Sequence, residues 1–199
     1  MSERAYHHGD LRKALLEAGE EELSERGGEN FSMRGVAKRA GVSHAAPAHH
    51  FRDKAGLLTA LAQRGFEAFA DRIEAGADAA TDEAQPEPLI ASGMAYVDFA
   101  LDHPKRFALM FASGWPDFSS PELDASSTRA FANFVSRVED AFADLGLSPE
   151  EMHVRAMANW SAVHGLAVLL LEGRMRSVLT LPEPARRETI RAILESSAC

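Results

Sequence analysis

The side chains that could do chemistry are few, and most crowd into one stretch. Of the eight histidines, His49 and His50 stand beside Asp53, and His7-His8 lie near the start of the chain. Together they invite a metal-binding reading. The spacing speaks against it, because adjacent histidines point in different directions on a helix and no second pair four residues apart supports them. Neither a metal nor another cofactor is expected. The single cysteine, Cys199, can close no internal disulfide and build no thiolate site. No serine or cysteine sits in a nucleophile motif such as GxSxG, so catalysis is not expected.

The informative stretch is Phe31–Phe51, FSMRGVAKRAGVSHAAPAHHF. Its spacing predicts two short helices, about 33–40 and 44–50, joined by Gly41-Val42-Ser43. A helix-turn-helix needs a small residue where its helices cross, which Ala37 supplies. It also needs a residue at ease with positive φ in the turn, which is Gly41. The second helix must be capped and free to enter a major groove, and Ser43 is placed to accept from the N–H groups of Ala45 and Ala46. An ordinary helical hairpin shares the glycine and the caps. The basic setting favours DNA: residues 26–64 carry seven basic and two acidic side chains, whereas 65–199 carry 11 basic and 21 acidic. A basic module on an acidic body, within a net charge of −9, fits a head that meets phosphates and a body they repel.

Direct readout needs short side chains and donors early in the recognition helix. His44 and Ala45 are best placed for it, with Ser43 close to a phosphate. His49 and His50 reach a base or the backbone, more strongly when protonated. Ser32, Arg34 and Lys54 read as phosphate contacts that fix register.

From Asp10 through Leu58 the chain resembles the DNA-binding domain of the tetracycline-repressor (TetR) family. The residues that carry the likeness are Phe31-Ser32-Met33, Val36-Ala37, Ala40-Gly41-Val42-Ser43 and His50-Phe51-Arg52-Asp53-Lys54, followed by Leu57-Leu58. In the body, Trp160, His164 and Gly165 look like the Trp-His-Gly signature of one C-terminal subfamily. The resemblance implies a three-helix head, a fourth helix leading to a helical body, and a homodimer whose body binds an effector. By position it makes Lys54 the phosphate-binding lysine. One departure stands out: Ala48 occupies a place usually held by an aromatic residue, and His49 one where arginine is common. Pro47 is expected to interrupt the recognition helix.

These residues need helices to hold them, and the chain reads as helix after helix with no strand pattern. Asp10 is expected to cap a first helix ending at Gly27-Gly28. Ser32 caps the next, with Phe31 and Val36 as a hydrophobic staple. Asp53 or a neighbour starts a longer one. Thr81–Pro88 is the expected break between head and body. Further helices are expected over Leu89–Leu101, Lys105–Ala112 and Pro121–Leu145. Ser148-Pro149-Glu150-Glu151 begins one that runs to about Glu172, and Glu183–Ser197 is the last. The fold class is all-α: an N-terminal helix-turn-helix domain over 1–55, a connecting helix over about 54–75, and a C-terminal ligand-binding and dimerisation domain over 76–199.

The body is rich in soft apolar side chains. Met94, Val97, Phe107, Met110, Phe111, Trp115, Phe131, Phe134 and Trp160, with His164, are the candidates for a mostly apolar effector pocket. His164 fits equally as a polar group of that pocket or as a hydrogen-bonded core histidine. Ala158, Ser161, Ala162 and Gly165 form a stripe of small residues, and a mid-helix glycine hints that another backbone comes close. With Ile190, Ile193 and Leu194 they are the expected dimer face, a crossing within the chain being the alternative.

At 199 residues, 46% hydrophobic and 26% charged, the composition is that of a globular protein. No apolar run is read as reaching the roughly 18 residues of a membrane span. Met1–Asp10 lacks a signal-peptide core, so a cytoplasmic, nucleoid-associated protein with no membrane partner is expected. The expected function is a DNA-binding transcription regulator, a repressor released from a palindromic operator by a small apolar effector. The alternatives are a helical small-molecule-binding protein or enzyme without a DNA role, or an adaptor that binds only protein.

Overall fold

The computed structural model describes residues 3–80 and 87–198, with side chains from Leu11 onward. His7-His8, most of the expected break at Thr81–Pro88, and Cys199 therefore lie outside the described side chains. Among the described residues there are ten α-helices, one 3₁₀ turn and no strand. The helices are α1 (Glu3–Arg26), α2 (Met33–Arg39), α3 (Ala46–Phe51), α4 (Lys54–Asp78) and α5 (Glu87–Asp102). After them come α6 (Pro104–Met110), α7 (Pro121–Ala141), α8 (Pro149–Leu171), α9 (Arg176–Leu179) and α10 (Glu183–Ser197).

The chain divides into two compact units, and neither is contiguous in sequence. One comprises residues 1–66 and 103–127, the other 67–102 and 128–199. The head expected to end near residue 55 thus takes in α6 and the loop beyond it. The reason is packing. Gly65 leaves space that the Met110 side chain fills, and Phe111 meets Phe66 and Phe107 at ring distances of 5.6 and 4.8 Å. Gly28 likewise lacks the Cβ that would collide with the Trp115 ring.

In this first unit α1 packs against α2 and α6, and α2 against α3. Leu15, Leu23, Val36, Ala37, Leu57 and Leu58 form its core. Each of the buried leucine and valine side chains contributes about 1.5–3 kcal/mol. Helix α1 begins at Glu3, so Asp10 lies within it rather than at its start. It stops where Gly27 turns to φ +69°. The Ser32 hydroxyl accepts from the Gly35 N–H at 3.2 Å and starts α2, as its position predicts.

In the second unit α8 packs against α5 and α10. Tyr96, Val97 and Ala100 on α5 are buried, and Leu194 of α10 lies against Gly93. The start of α8 is a complete capping box: the Ser148 hydroxyl accepts from the Glu151 N–H at 3.2 Å, and the Glu151 carboxylate accepts from the Ser148 N–H at 2.8 Å. Contrary to the expectation from sequence, α8 does hold an 18-residue window apolar enough for a membrane span, with mean hydropathy 1.3. Only a third of that window is buried.

Candidate nucleic-acid interface

The turn after α2 is built by one glycine and one small side chain. Gly41 sits at φ +66°, and the Val42 N–H reaches back to the Ala37 carbonyl at 3.0 Å. Ala37 is wholly buried where α2 and α3 pack. Helix α3 starts two residues later than expected. Ser43, His44 and Ala45 form an exposed turn in which the Ser43 carbonyl accepts from the Ala46 N–H at 3.0 Å, and no side chain caps α3. Ser43 is therefore not the cap. Pro47 explains the shift, since proline is tolerated only in a first turn, where its missing N–H has no intrahelical partner in any case. It falls in that turn, buried, and interrupts nothing.

The exposed surface around this element carries Arg34, Ser43, His44, Ala45 and His49, with Ser32 and His50 half-buried. The rings of His49 and His50 meet edge-on at 5.4 Å. Lys54 is already engaged: its ammonium donates to the Glu29 carbonyl at 3.1 Å and lies 5.6 Å from the centre of the Trp115 ring. The structure thus gathers the candidate residues on and beside α2 and α3, and holds Lys54 in place from two sides.

The composition of residues 26–64 overstates the free cations. Arg39 is drawn inward to Glu21, Glu22 and Glu25 of α1, and its hydrogen bond holds the Glu25 carboxyl below the usual range. Glu22 is only 1% exposed and sits where a side chain at residue 35 would otherwise be. Arg26 pairs with Glu22, and Arg64 with Glu20. Three of the seven basic groups are structural. The signal was in the sequence as the acidic run Glu20-Glu21-Glu22 with Glu25, which ends just before the basic stretch begins.

Nothing in the sequence marks the backbone conformation of Arg52, which stands there only as one basic residue of the stretch. It is the one non-glycine residue at positive φ among those described, at φ 69° and ψ −62°. The Asp53 N–H closes a tight turn around it onto the Phe51 carbonyl at 2.8 Å. This is the rare, strained form of γ-turn. Such a conformation costs about 1–3 kcal/mol and persists only when its surroundings fix it. Asp53 then caps α4 through Gly56, at 2.9 Å.

The expected effector residues are divided between the two units. Phe107, Met110, Phe111 and Trp115 belong to the first unit, where Phe107 and Met110 are buried and Phe111 and Trp115 half-buried. The others lie in the second. Met94, Val97 and Phe134 are buried, while Phe131, Trp160 and His164 are open to solvent in part. The Tyr96 hydroxyl, on a side chain 1% exposed, shares a hydrogen bond of 2.8 Å with His164 Nδ1. Trp160 stands 5.7 Å from both His164 and Phe131, ring centre to ring centre. Burial holds the His164 imidazole below the usual histidine value and pushes the Tyr96 phenol far above its own. Beside Phe134 a small void of about 20 Å³ lies among Leu89, Ile90 and Val163. A larger open groove of about 830 Å³ lies elsewhere, floored by Gly76, Ala91, Met94 and Ala95.

On the expected dimer face, Ala158 and Ser161 are exposed and Ala162 and Gly165 half-buried. A Cβ on Gly165 would touch nothing within 4 Å, so no described part of the chain explains this glycine as a close crossing. Ile190 and Leu194 are buried within their own chain, at 4% and 5% exposed, and of the three α10 candidates Ile193 keeps the most surface.

Two family models match. "Bacterial regulatory proteins, tetR family" covers residues 15–61, and "Tetracyclin repressor-like, C-terminal domain" covers residues 89–194, more than half of the chain. An HTH-type transcriptional regulator of Mycobacterium tuberculosis is 26% identical over 134 residues, 67% of this chain and 55% of its own length. The chain therefore spans about half the length of the curated relatives it matches. A protein of unknown function from Rhodococcus sp. RHA1 superposes with a TM-score of 0.79 at 31% identity, over 97% of this chain and 96% of the other. NalD of Pseudomonas aeruginosa, the secondary repressor of the MexAB-OprM multidrug efflux pump, shares the fold at 19% identity, with a TM-score of 0.59 over 96% and 95% of the two chains. A turn-and-helix element on a helical body, matched by family models in both regions, leaves one conclusion: the chain belongs to the tetR family of bacterial regulatory proteins.

Proposed function

We propose that the protein is a transcription regulator that binds duplex DNA as a homodimer in the cytoplasm and is released, as a repressor, by a small apolar effector. The observation that carries this reading is the exposed turn after Gly41, which offers Ser43, His44 and Ala45 on a scaffold fixed by Ala37 and Pro47. Short side chains there suit contact with base edges. Arg34, Ser32 and Lys54 supply phosphate contacts on either side. Lys54 suits that role because Glu29 and Trp115 pre-orient it.

Two copies reading successive major grooves need their recognition elements about 34–36 Å apart. The exposed stripe Val154, Ala158, Ser161 and Leu169, mostly small or apolar, with the open side of Gly165, supports α8 as the face that sets this spacing. Met94, Phe131, Phe134, Trp160 and His164 are the residues through which an effector acts. It releases DNA only by binding one arrangement of the body better than the other.

The test is retention of palindromic duplexes from upstream of the gene, measured across a range of salt. Binding should weaken steeply with salt, and Lys54→Ala should lower the slope of log K against log salt by about 0.9 for each phosphate no longer neutralised. A chain that stays monomeric and retains no duplex at low salt overturns the reading.

A further inference from the structure

We propose that Arg52 is a contact to the DNA backbone, retained at the end of the recognition helix at the expense of local strain. The inference rests on the DNA-binding reading and adds a residue to it.

The backbone at Arg52 suits glycine, for which φ 69° carries no Cβ penalty. An arginine there is disfavoured by its own backbone, so something other than the turn accounts for it. Its side chain is 93% exposed and buries no apolar surface. Its nearest carboxylate, on Asp53, lies at the 4.0 Å limit of an ion pair and is itself occupied in capping α4. Packing and pairing therefore give little return for the strain. The turn cannot relax either: the first turn of α4 lies so close that a Cβ on Gly56 would collide with the Phe51 carbonyl oxygen.

What the conformation does achieve is placement. Arg52 directly follows Phe51, the last residue of α3, two residues beyond His50 and two before Lys54. A guanidinium there adds a cation close to Lys54 where the chain leaves the recognition helix, placed to meet a phosphate backbone. Its planar fork grips two phosphate oxygens at once, which Lys54 cannot do. Asp117 acts electrostatically on the same group from the loop before α7. Bringing up phosphates therefore exchanges a weak carboxylate partner for a stronger, doubly bonded one.

The experiment uses the full chain and a mixed-sequence duplex of about thirty base pairs, because a backbone contact needs no operator. Arg52→Gly removes both the cation and the strain. It should raise the melting temperature by about 2–4 °C while lowering duplex affinity several-fold and the salt slope by about 0.9 for each Arg52 engaged. Arg52→Lys keeps charge and strain and should retain most of the slope. An Arg52→Gly chain that binds with unchanged slope overturns the assignment and leaves the DNA reading intact. A wild-type chain that retains no duplex overturns both.

Discussion

At the scale of single residues, two positions convert the geometry into opposite expectations from those of their amino-acid type. Gly56 lies in the first turn of α4, where replacing a helical glycine by alanine ordinarily gains about 1 kcal/mol. Here the added methyl would strike the Phe51 carbonyl, which already accepts the Asp53 N–H in the tight turn. Gly56→Ala should therefore lower the urea midpoint, by about 1–3 kcal/mol in stability. A midpoint equal to or above wild type would mean that the turn yields. His164 makes a proton-linked case. Its folded-state pKa lies below the value of about 6.5 expected for an unfolded chain. Just below pH 6.5 the unfolded state then binds more protons, so stability rises with pH through that window and falls on acidification. Urea midpoints from pH 7 down to 5 should fall more steeply for wild type than for His164→Gln. Parallel curves would show that the Tyr96–His164 bond does not depend on protonation. Gly56 did not announce its environment in sequence, and for His164 the sequence offered a hydrogen-bonded setting without the partner, Tyr96, since what decides each is a neighbour brought close by folding.

At the scale of elements, sequence was informative where the cue was local and misleading where two cues competed. Ser148, Pro149 and Glu151 all point to the same start for α8, and the complete box forms there. Before α3 the cues conflict, with Ser43 offering a cap and Pro47 confining the helix start to its own vicinity. Proline prevails because its ring and missing N–H are fixed covalently, whereas a serine cap contributes only about 1 kcal/mol. The same magnitude sets the expectation for Ser148→Ala, a loss of about 1 kcal/mol by denaturant titration. Glu151→Gln, which can still accept from the cap N–H, should lose much less. Equal losses would mean that charge rather than the reciprocal hydrogen bonds holds the box. The short α9 had no sequence cue at all. The basic stretch is the converse case, legible as composition yet partly spent, because Arg26, Arg39 and Arg64 are committed to carboxylates on α1.

At the scale of the whole molecule, the class of fold and the helix-turn-helix were legible because helical period and glycine placement are local properties. The grouping of helices was not. Nothing local reveals that Trp115 rests on Gly28, or that α6 folds with the helices before residue 66. Association lies further still from local pattern, and Gly165 is where it becomes measurable. Among the described residues of one chain a methyl at this position meets nothing within 4 Å, and alanine is the better helix former, by about 1 kcal/mol. If two copies of α8 cross there, the same methyl holds their backbones apart. Gly165→Ala should then leave the isolated fold as stable as wild type or more so, while raising the dimer dissociation constant about tenfold, or about 1.4 kcal/mol. Gly165→Leu should separate the copies altogether. Sedimentation across a dilution series and urea titration at low concentration distinguish the two effects. Loss of the dimer should carry DNA affinity down with it, since each copy alone reaches only half of a two-fold site. Should both variants sediment as the wild-type dimer, the copies meet on another face, and the exposed stripe from Val154 to Leu169 needs a different partner.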